Sequence, residues 1–366
     1  VVEELNGYVW PDRGAKAEFA SVLYQAGRHT EGAVPPVANR EEVLTRVLQE
    51  YPTTDVPAGF RGTELTVTRE QVLRTLDEVS FTSSPGLPLA SLFSSKGEVV
   101  DNLSEMVVQA VLERLKLLAD FDCCEDDPQV LVTKGLVDTV RLFVKNEPHT
   151  LAKAEAERWR LIASVSIVDE VIERLLAGTQ NLAEISQWQT CPSKPGFGLS
   201  LDHQAQALYD SVKPELSGLS EADVSGWDWG VQRWMFDFEA DCRIALAGAE
   251  PDGLFARVLK ARLHCLARSV FSLSDGRLFK QTVPGVMKSG SYLTSSSNSR
   301  MRVSLGYLLG ARFVIAMGDD SLESTTESAQ ERYAEYGISV KMYKECGTSF
   351  EFCSHRFVDG VAVPLN

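Results

Sequence analysis

The apolar run Phe313-Val314-Ile315-Ala316-Met317 stops at Gly318-Asp319-Asp320 and resumes at Leu322. No other stretch constrains the chain as much. An apolar run of strand length, broken by Gly and two carboxylates, reads as strand, tight turn and strand, because Gly adopts positive φ freely and Asp favours turns. A second acidic segment, Asp223-Val224-Ser225-Gly226-Trp227-Asp228, closes the short stretch Leu219-Ser220-Glu221-Ala222. Aspartates on neighbouring strand ends suffice for Mg²⁺, which takes one or two carboxylates and completes its shell with water and phosphate. A Gly-Asp turn alone is ordinary turn chemistry, so the pair draws its meaning from the surrounding pattern.

The 366 residues, 44% hydrophobic and 24% charged, are enough for two or three compact units and have the balance of a globular rather than a disordered chain. No apolar run is long enough to cross a bilayer, and Val1-Val2-Glu3-Glu4 is unlike a signal peptide, so a soluble protein is expected. The missing initiator Met fits a fragment or a processed polyprotein product. Seven scattered cysteines, an odd number without a Cys-x-x-Cys pair, fit a reducing compartment. Cys123 and Cys124, within the acidic stretch Asp120 to Asp127, read as part of a solvated loop after a helix. The net charge of -15 excludes a protein that coats nucleic acid nonspecifically, since that affinity comes from Lys and Arg on phosphates. An enclosed basic channel remains compatible, because a cleft can carry the opposite sign to the outer surface.

Without repeats or low-complexity linkers, the chain is expected to form one interlocked structure with soft domain borders. Helical spacing marks Arg40 to Tyr51, Thr68 to Val79 and Leu103 to Leu118, so the first third is helix-rich. Ser83-Ser84-Pro85-Gly86-Leu87-Pro88 must be a rigid, non-helical loop. Leu142 to Lys145 reads as a strand, followed by a polar stretch, Trp159 to Ala163, and a helix through Val168 to Leu176. Basic residues line this hairpin-like arm. Ser269 to Lys280 is a hairpin whose Asp275-Gly276 pair predicts a primed turn. A helix with small polar residues is expected after Ser289-Gly290, and another over Glu327 to Tyr336.

These motifs together resemble the viral RNA-dependent RNA polymerases. Asp223 to Asp228 is similar to that family's motif A, Ser289-Gly290-x₃-Thr294-x₃-Asn298 to motif B, and Gly318-Asp319-Asp320 to motif C, in the required order. The wording of motifs A and B is most similar to the sobemovirus and polerovirus group of positive-strand RNA plant viruses. Ser84 to Pro88 resembles motif G. Lys145-Asn146-Glu147-Pro148, Lys153, Arg158 and Arg160-Leu161-Ile162 resemble the basic motif F arm. Lys344 sits where motif D carries its lysine, and Phe352 to Phe357 resembles motif E. The resemblance runs from about Ser83 to Phe357.

The resemblance implies a role for each residue. Asp223 and Asp319 ligate Mg²⁺, for which Mn²⁺ can substitute, and Asp320 is an auxiliary ligand or an orienting carboxylate. Asp228, with Asn298 and Thr294, recognises the ribose 2′-hydroxyl; its plainer alternative is a helix N-cap. Ser289-Gly290 forms a hinged loop beside the template base, with Gly supplying backbone freedom. Lys145, Lys153, Arg158 and Arg160 meet the triphosphate, with salt bridges to Glu147, Glu155 and Glu157 as the competing arrangement. Lys344 gives a proton to departing pyrophosphate, although Lys341 is a near neighbour. Trp227 and Trp229 read as core packing rather than base stacking, and Lys194 to Gly198 as a turn rather than a phosphate loop.

The implied fold is α+β, mixed α/β: a right hand whose palm is an antiparallel sheet packed by helices, with fingers and a short or missing thumb. Fingers are expected over 1–204 and in a hairpin over 269–288. The palm is expected over 205–268 and 289–357, and the start of a truncated thumb over 358–366. The implied function is template-directed RNA synthesis from ribonucleoside triphosphates, with template and nascent RNA as partners. Other viral replication proteins would tether it in membrane-associated complexes of the host cytoplasm, and a genome-linked protein is a further expected partner. The rival is a polymerase-like RNA-binding scaffold with little activity; a reverse transcriptase is disfavoured by Asp228 and Asn298.

Overall fold

The computed structural model describes residues 7–199 and 201–365. The first elements are β1 (Tyr8–Val9), α1 (Ala15–Ala26), α2 (Val37–Glu50), α3 (Arg69–Leu76) and α4 (Lys96–Asp120). Next come α5 (Pro128–Thr133), β2 (Val140–Val144), β3 (His149–Thr150), α6 (Leu151–Glu155), β4 (Leu161–Ser164) and α7 (Ile167–Ser186). They are followed by α8 (Asp202–Val212), β5 (Leu219–Val224), α9 (Trp227–Gly230), α10 (Arg233–Leu246), α11 (Leu254–Leu266), β6 (Val270–Ser272) and β7 (Leu278–Lys280). Then come α12 (Thr294–Leu308), β8 (Val314–Met317), β9 (Asp320–Ser324) and α13 (Ala329–Glu335). Last are β10 (Val340–Glu345), β11 (Ser349–Phe352), β12 (His355–Val358) and β13 (Val361–Pro364).

Local chemistry sets several boundaries. Thr68 and Gln71 form a reciprocal capping box that starts α3. The helix expected from Leu103 begins earlier, at Lys96, where the Ser95 hydroxyl accepts from the Glu98 amide. Leu103 itself has non-helical angles, which interrupts the periodicity of the upstream turns. Among the described residues no helix is long and apolar enough to cross a membrane.

The chain divides into two compact units. One comprises the segment through His29, Ala58–Leu176 and Arg257–Tyr292; the other comprises Thr30–Pro57, Ala177–Ala256 and the segment from Leu293. These segments cross the expected borders: 30–57 and 177–204 group with the second unit, and 257–268 and 289–292 with the first.

In the first unit the sheet order is β4-β2-β6-β7, with β2 antiparallel to β4 and parallel to β6. Alternation along β2 turns Val140 and Leu142 into a core with Ala163, Phe271 and Leu273, and Phe19, Val22 and Phe279 pack against it. The Ser269 to Lys280 hairpin is present, but its turn differs from expectation. Five residues, Leu273 to Arg277, connect the strands, and of the Asp-Gly pair only Gly276 has positive φ. The Asp275 carboxylate instead accepts from the Arg277 backbone and side chain, which holds the wider loop.

In the second unit an antiparallel sheet has the order β10-β5-β9-β8, and a meander β11-β12-β13 lies against it. Leu219, Ile315 and Leu322 share a core with Leu208 and Tyr209 of α8 and with Phe350 and Phe357 of the meander. On the opposite face Gly306 lets α12 approach β8: a Cβ there would lie 2.8 Å from Val314. The Lys194 segment is a buttress, with its amide bonded to the Ala316 carbonyl at 2.8 Å and Ser193 bridged to Ala316.

Candidate active site

The β8–β9 ladder closes with Met317 opposite Asp320, leaving Gly318-Asp319 as the loop. Gly318 has φ 64°, a left-handed conformation that an L side chain adopts at a cost. Strand β5 pairs with β9 through Ala222 and Ser321, and one further step along that register sets Asp223 beside Asp320. Burial first, then the Asp319 and Asp223 carboxylates, push the Asp320 carboxyl up to about 6. The Cys353 amide donates to it, and Cys353 Sγ lies 3.4 Å from Met317 Sδ, so the β11–β12 tip adjoins the turn. Three carboxylates therefore share one end of this sheet.

Lys341 Nζ is 2.8 Å from Asp223 Oδ2. A register shift between Val340 and Met342 makes Lys341 the extra residue of a bulge, and a bulge re-aims a side chain at the strand end. Lys344 instead pairs with Glu221 across the ladder, two residues back from Asp223.

Asp228 lies in the short helix α9, and its Oδ1 accepts from Asn298 Nδ2 at 2.8 Å. Gly226, not Asp228, holds the N-cap position. Asn298 is 4% exposed, and its Oδ1 has no partner among the described residues. Thr294 opens α12, one turn before Asn298. Trp227 is buried and Trp229 half-buried, consistent with packing. The Ser-rich start of α12 is held from within the protein. Ser297 donates to Glu239 at 2.8 Å, Arg243 donates to Ser296 at 2.9 Å, and Arg300 pairs with Glu239 and Glu184. Sequence periodicity missed Ser299 and Arg302. Ser299 Oγ accepts from the Gly318 amide at 2.8 Å, and Arg302 Nε donates to the Asp319 carbonyl at 3.3 Å. No local sequence signal marks either residue, because their burial becomes visible only in the folded chain.

The remaining candidates belong to the first unit. Ser289 Oγ accepts from the Ala163 amide, and the Gly290 amide donates to the Ala163 carbonyl, both at 3.0 Å. Gly290 does not have positive φ; it is required by space, since a Cβ would lie 2.5 Å from the Ala163 carbonyl oxygen. Lys145 and Arg160 both pair with Glu147, at 2.7 and 3.3 Å, which is the competing arrangement expected for them. Arg158 donates to the Tyr24 hydroxyl at 3.1 Å, and Lys153 is exposed on α6. Lys145, Arg158 and Arg160 thus line one arm from β2 to β4.

The model of the family described as viral RNA-directed RNA polymerase matches residues 2–363. The chain belongs to that family. It is 42% identical to the replicase polyprotein P2AB of Southern bean mosaic virus over 97% of its own length and 38% of the relative's. The replicase polyprotein P2AB of Cocksfoot mottle virus is 41% identical, over 98% of this chain and 39% of the relative. Protein P1-P2 of Potato leafroll virus is 36% identical, over 100% and 36% respectively. The chain therefore spans less than two-fifths of the length of these relatives.

A viral RNA-directed RNA polymerase implies divalent metal, and the donor set fits one. Among the described residues no group of three or more Asp, Glu, His or Cys side chains is placed to hold a metal ion by itself. Mg²⁺ needs none when phosphates and waters complete its shell. Burial first, and then the neighbouring Asp319 and Asp223 charges, raise Asp320, and Lys341 on Asp223 supplies part of the positive charge at this end of the sheet.

Proposed function

We propose that this chain is the catalytic core of an RNA-directed RNA polymerase, with the second unit as palm and the first as fingers. The observation that carries the reading is the placement of Asp223, Asp319 and Asp320 at one end of one sheet, beside the bonded pair Asp228 and Asn298. Two Mg²⁺ ions, or Mn²⁺ in their place, supply activation of the attacking 3′ oxygen and charge stabilisation at the leaving pyrophosphate when bound. Asp223 and Asp319 hold them, and Asp320 serves as auxiliary ligand or orienting carboxylate. Asp228 and the unpartnered Oδ1 of Asn298 receive the ribose 2′-hydroxyl, with Thr294 one turn away. Deoxyribose leaves the buried Asn298 Oδ1 without a donor, which selects ribonucleotides.

Lys145, Lys153, Arg158 and Arg160 exchange their present partners for triphosphate oxygens, Arg doing so in two-pronged fashion. Ser289-Gly290, fixed on β4, flanks the template base. A lysine of β10 protonates the pyrophosphate. Lys344 is the residue that the family pattern selects, and Lys341 is the one already touching Asp223. Template RNA, nascent RNA and other viral replication proteins, including a genome-linked protein, are the partners, in membrane-associated complexes of the host cytoplasm.

The test is incorporation on homopolymer templates with Mg²⁺, run on this chain and on a version extended at its C-terminus. The expected result is uptake of the complementary ribonucleotide alone. RNA binding without incorporation in either version rejects the reading in favour of a replication scaffold.

A further inference from the structure

The loop of a two-residue hairpin leaves backbone groups that the strand ladder does not use, and such groups need partners when sheltered from water. In the β8–β9 hairpin the Gly318 amide and the Asp319 carbonyl both find theirs on α12. Ser299 Oγ takes the amide at 2.8 Å, and Arg302 Nε takes the carbonyl at 3.3 Å. Ser299 and Arg302 stand three residues apart on the helix and so on one face of it. Ser299 also donates to the Ser295 carbonyl at 2.7 Å, which orients its lone pair toward Gly318.

Arg302 is itself immobilised. It is 0% exposed, donates to the Tyr333 hydroxyl and lies 3.7 Å from Glu323, to which Tyr333 donates at 2.6 Å. Its guanidinium also lies 5.7 Å from the ring centre of Trp227, the buried residue between Asp223 and Asp228. The same side chain thus touches the turn that carries Asp319 and the segment that carries Asp223.

We propose that Ser299 and Arg302 are positioning residues that fix the Gly318-Asp319-Asp320 turn through its backbone. They set the placement of the Asp319 carboxylate without contacting substrate. This inference rests on the polymerase reading for its consequence in catalysis, but its structural content is independent of that reading. Both hydrogen bonds to the turn go to peptide groups, and the Arg302 charge also acts through space on the Asp319 and Asp320 carboxylates. Asn298, on the same helix, serves Asp228, so turn placement and ribose selection are separable by substitution.

The test joins hydrogen exchange on metal-free protein with single-nucleotide kinetics. In Ser299→Ala the Gly318 amide is expected to exchange about tenfold faster, the loss of roughly one hydrogen bond's protection, while amides of α10 and β5 keep their parental rates. The kcat should fall by a similar factor, with nucleotide KM and the ribo-to-deoxy ratio unchanged, and Ser299→Thr should restore both rates. Arg302→Lys, which keeps the buried charge opposite Glu323 but removes the Nε donor, should likewise lower kcat at constant KM. Unchanged exchange at Gly318 in Ser299→Ala overturns the proposal, as does a kcat loss that Ser299→Thr fails to reverse. Absence of incorporation by the parent defeats the polymerase reading, and the exchange measurement then still decides whether Ser299 holds the turn.

Discussion

Replacing Asp228 by Ala should reduce preference for ribonucleotides far more than it reduces incorporation itself. Asp228 Oδ1 accepts from Asn298 Nδ2 at 2.8 Å, and Asn298 is 4% exposed. The substitution therefore removes an ionised acceptor and frees a buried amide at once. A hydrogen bond to a charged group contributes ~1.5–3 kcal/mol, which at ~1.4 kcal/mol per decade is about 10- to 150-fold in the ratio of kcat/KM for ribo- over deoxyribonucleotide. Asp228→Asn keeps an acceptor without its charge and should lose less, of the order of 2- to 10-fold. The assay is single-nucleotide extension with matched ribo and deoxy substrates on one template. Because the two side chains act as a bonded unit, Asp228→Ala and Asn298→Ala should be strongly non-additive in the double variant. If Asp228→Ala lowers both substrates equally and leaves their ratio intact, Asp228 acts as packing and the ribose assignment is wrong.

Lys341→Ala should alter the metal dependence of incorporation, because it removes the ammonium group on Asp223. Lys344→Ala should leave half-saturating Mg²⁺ unchanged; equal shifts in a Mg²⁺ titration of both variants would reject this distinction. Gly290→Ala forces a Cβ to within 2.5 Å of the Ala163 carbonyl oxygen, so the strand and loop must separate. A loss of ~1–3 kcal/mol is expected in urea unfolding, and an unchanged midpoint would show that the close approach is dispensable. Burial pulls Lys194 from 10.5 down to about 8, although its ammonium group donates to the Trp188 and Cys191 carbonyls. The unfolded chain then holds the proton over a window in which the folded chain has released it. Stability should accordingly be flat below about 8 and rise toward 10.5, by ~3 kcal/mol at most. Thermal unfolding of the parent and of Lys194→Met across that range checks it, and identical profiles would contradict it.

The candidate residues of the second unit were legible through the resemblance of their ordered motifs to the polymerase family rather than from any one residue. Turn chemistry made Gly318-Asp319-Asp320 read as a hairpin tip, and Asp223 read as closing a short strand, which runs one residue further to Val224. The structure makes them neighbours on one sheet. Lys341 was not legible, because its position depends on a bulge that inserts one residue into β10, and no local pattern marks such an insertion. Arg302 was hidden for another reason: an Arg on a helix of small polar residues reads as solvent-facing until Tyr333 and Glu323 are brought to it from distant sequence. Gly290 was recognised as necessary but for a different cause, steric room rather than backbone angle. The pairing of residues 30–57 with the second unit rests on contacts such as the Ala33 amide on the Glu335 carbonyl, far apart in sequence and without local signature.

One experiment addresses the metal-holding role of both Asp223 and Asp319. Template-dependent incorporation by the parent, Asp223→Ala and Asp319→Ala is measured across a Mg²⁺ titration, with unfolding midpoints confirming that all three are folded. The prediction is Mg²⁺-dependent synthesis by the parent and a loss of at least about a thousandfold in each variant, ~4 kcal/mol of transition-state stabilisation. Either folded variant extending RNA as well as the parent does would contradict it.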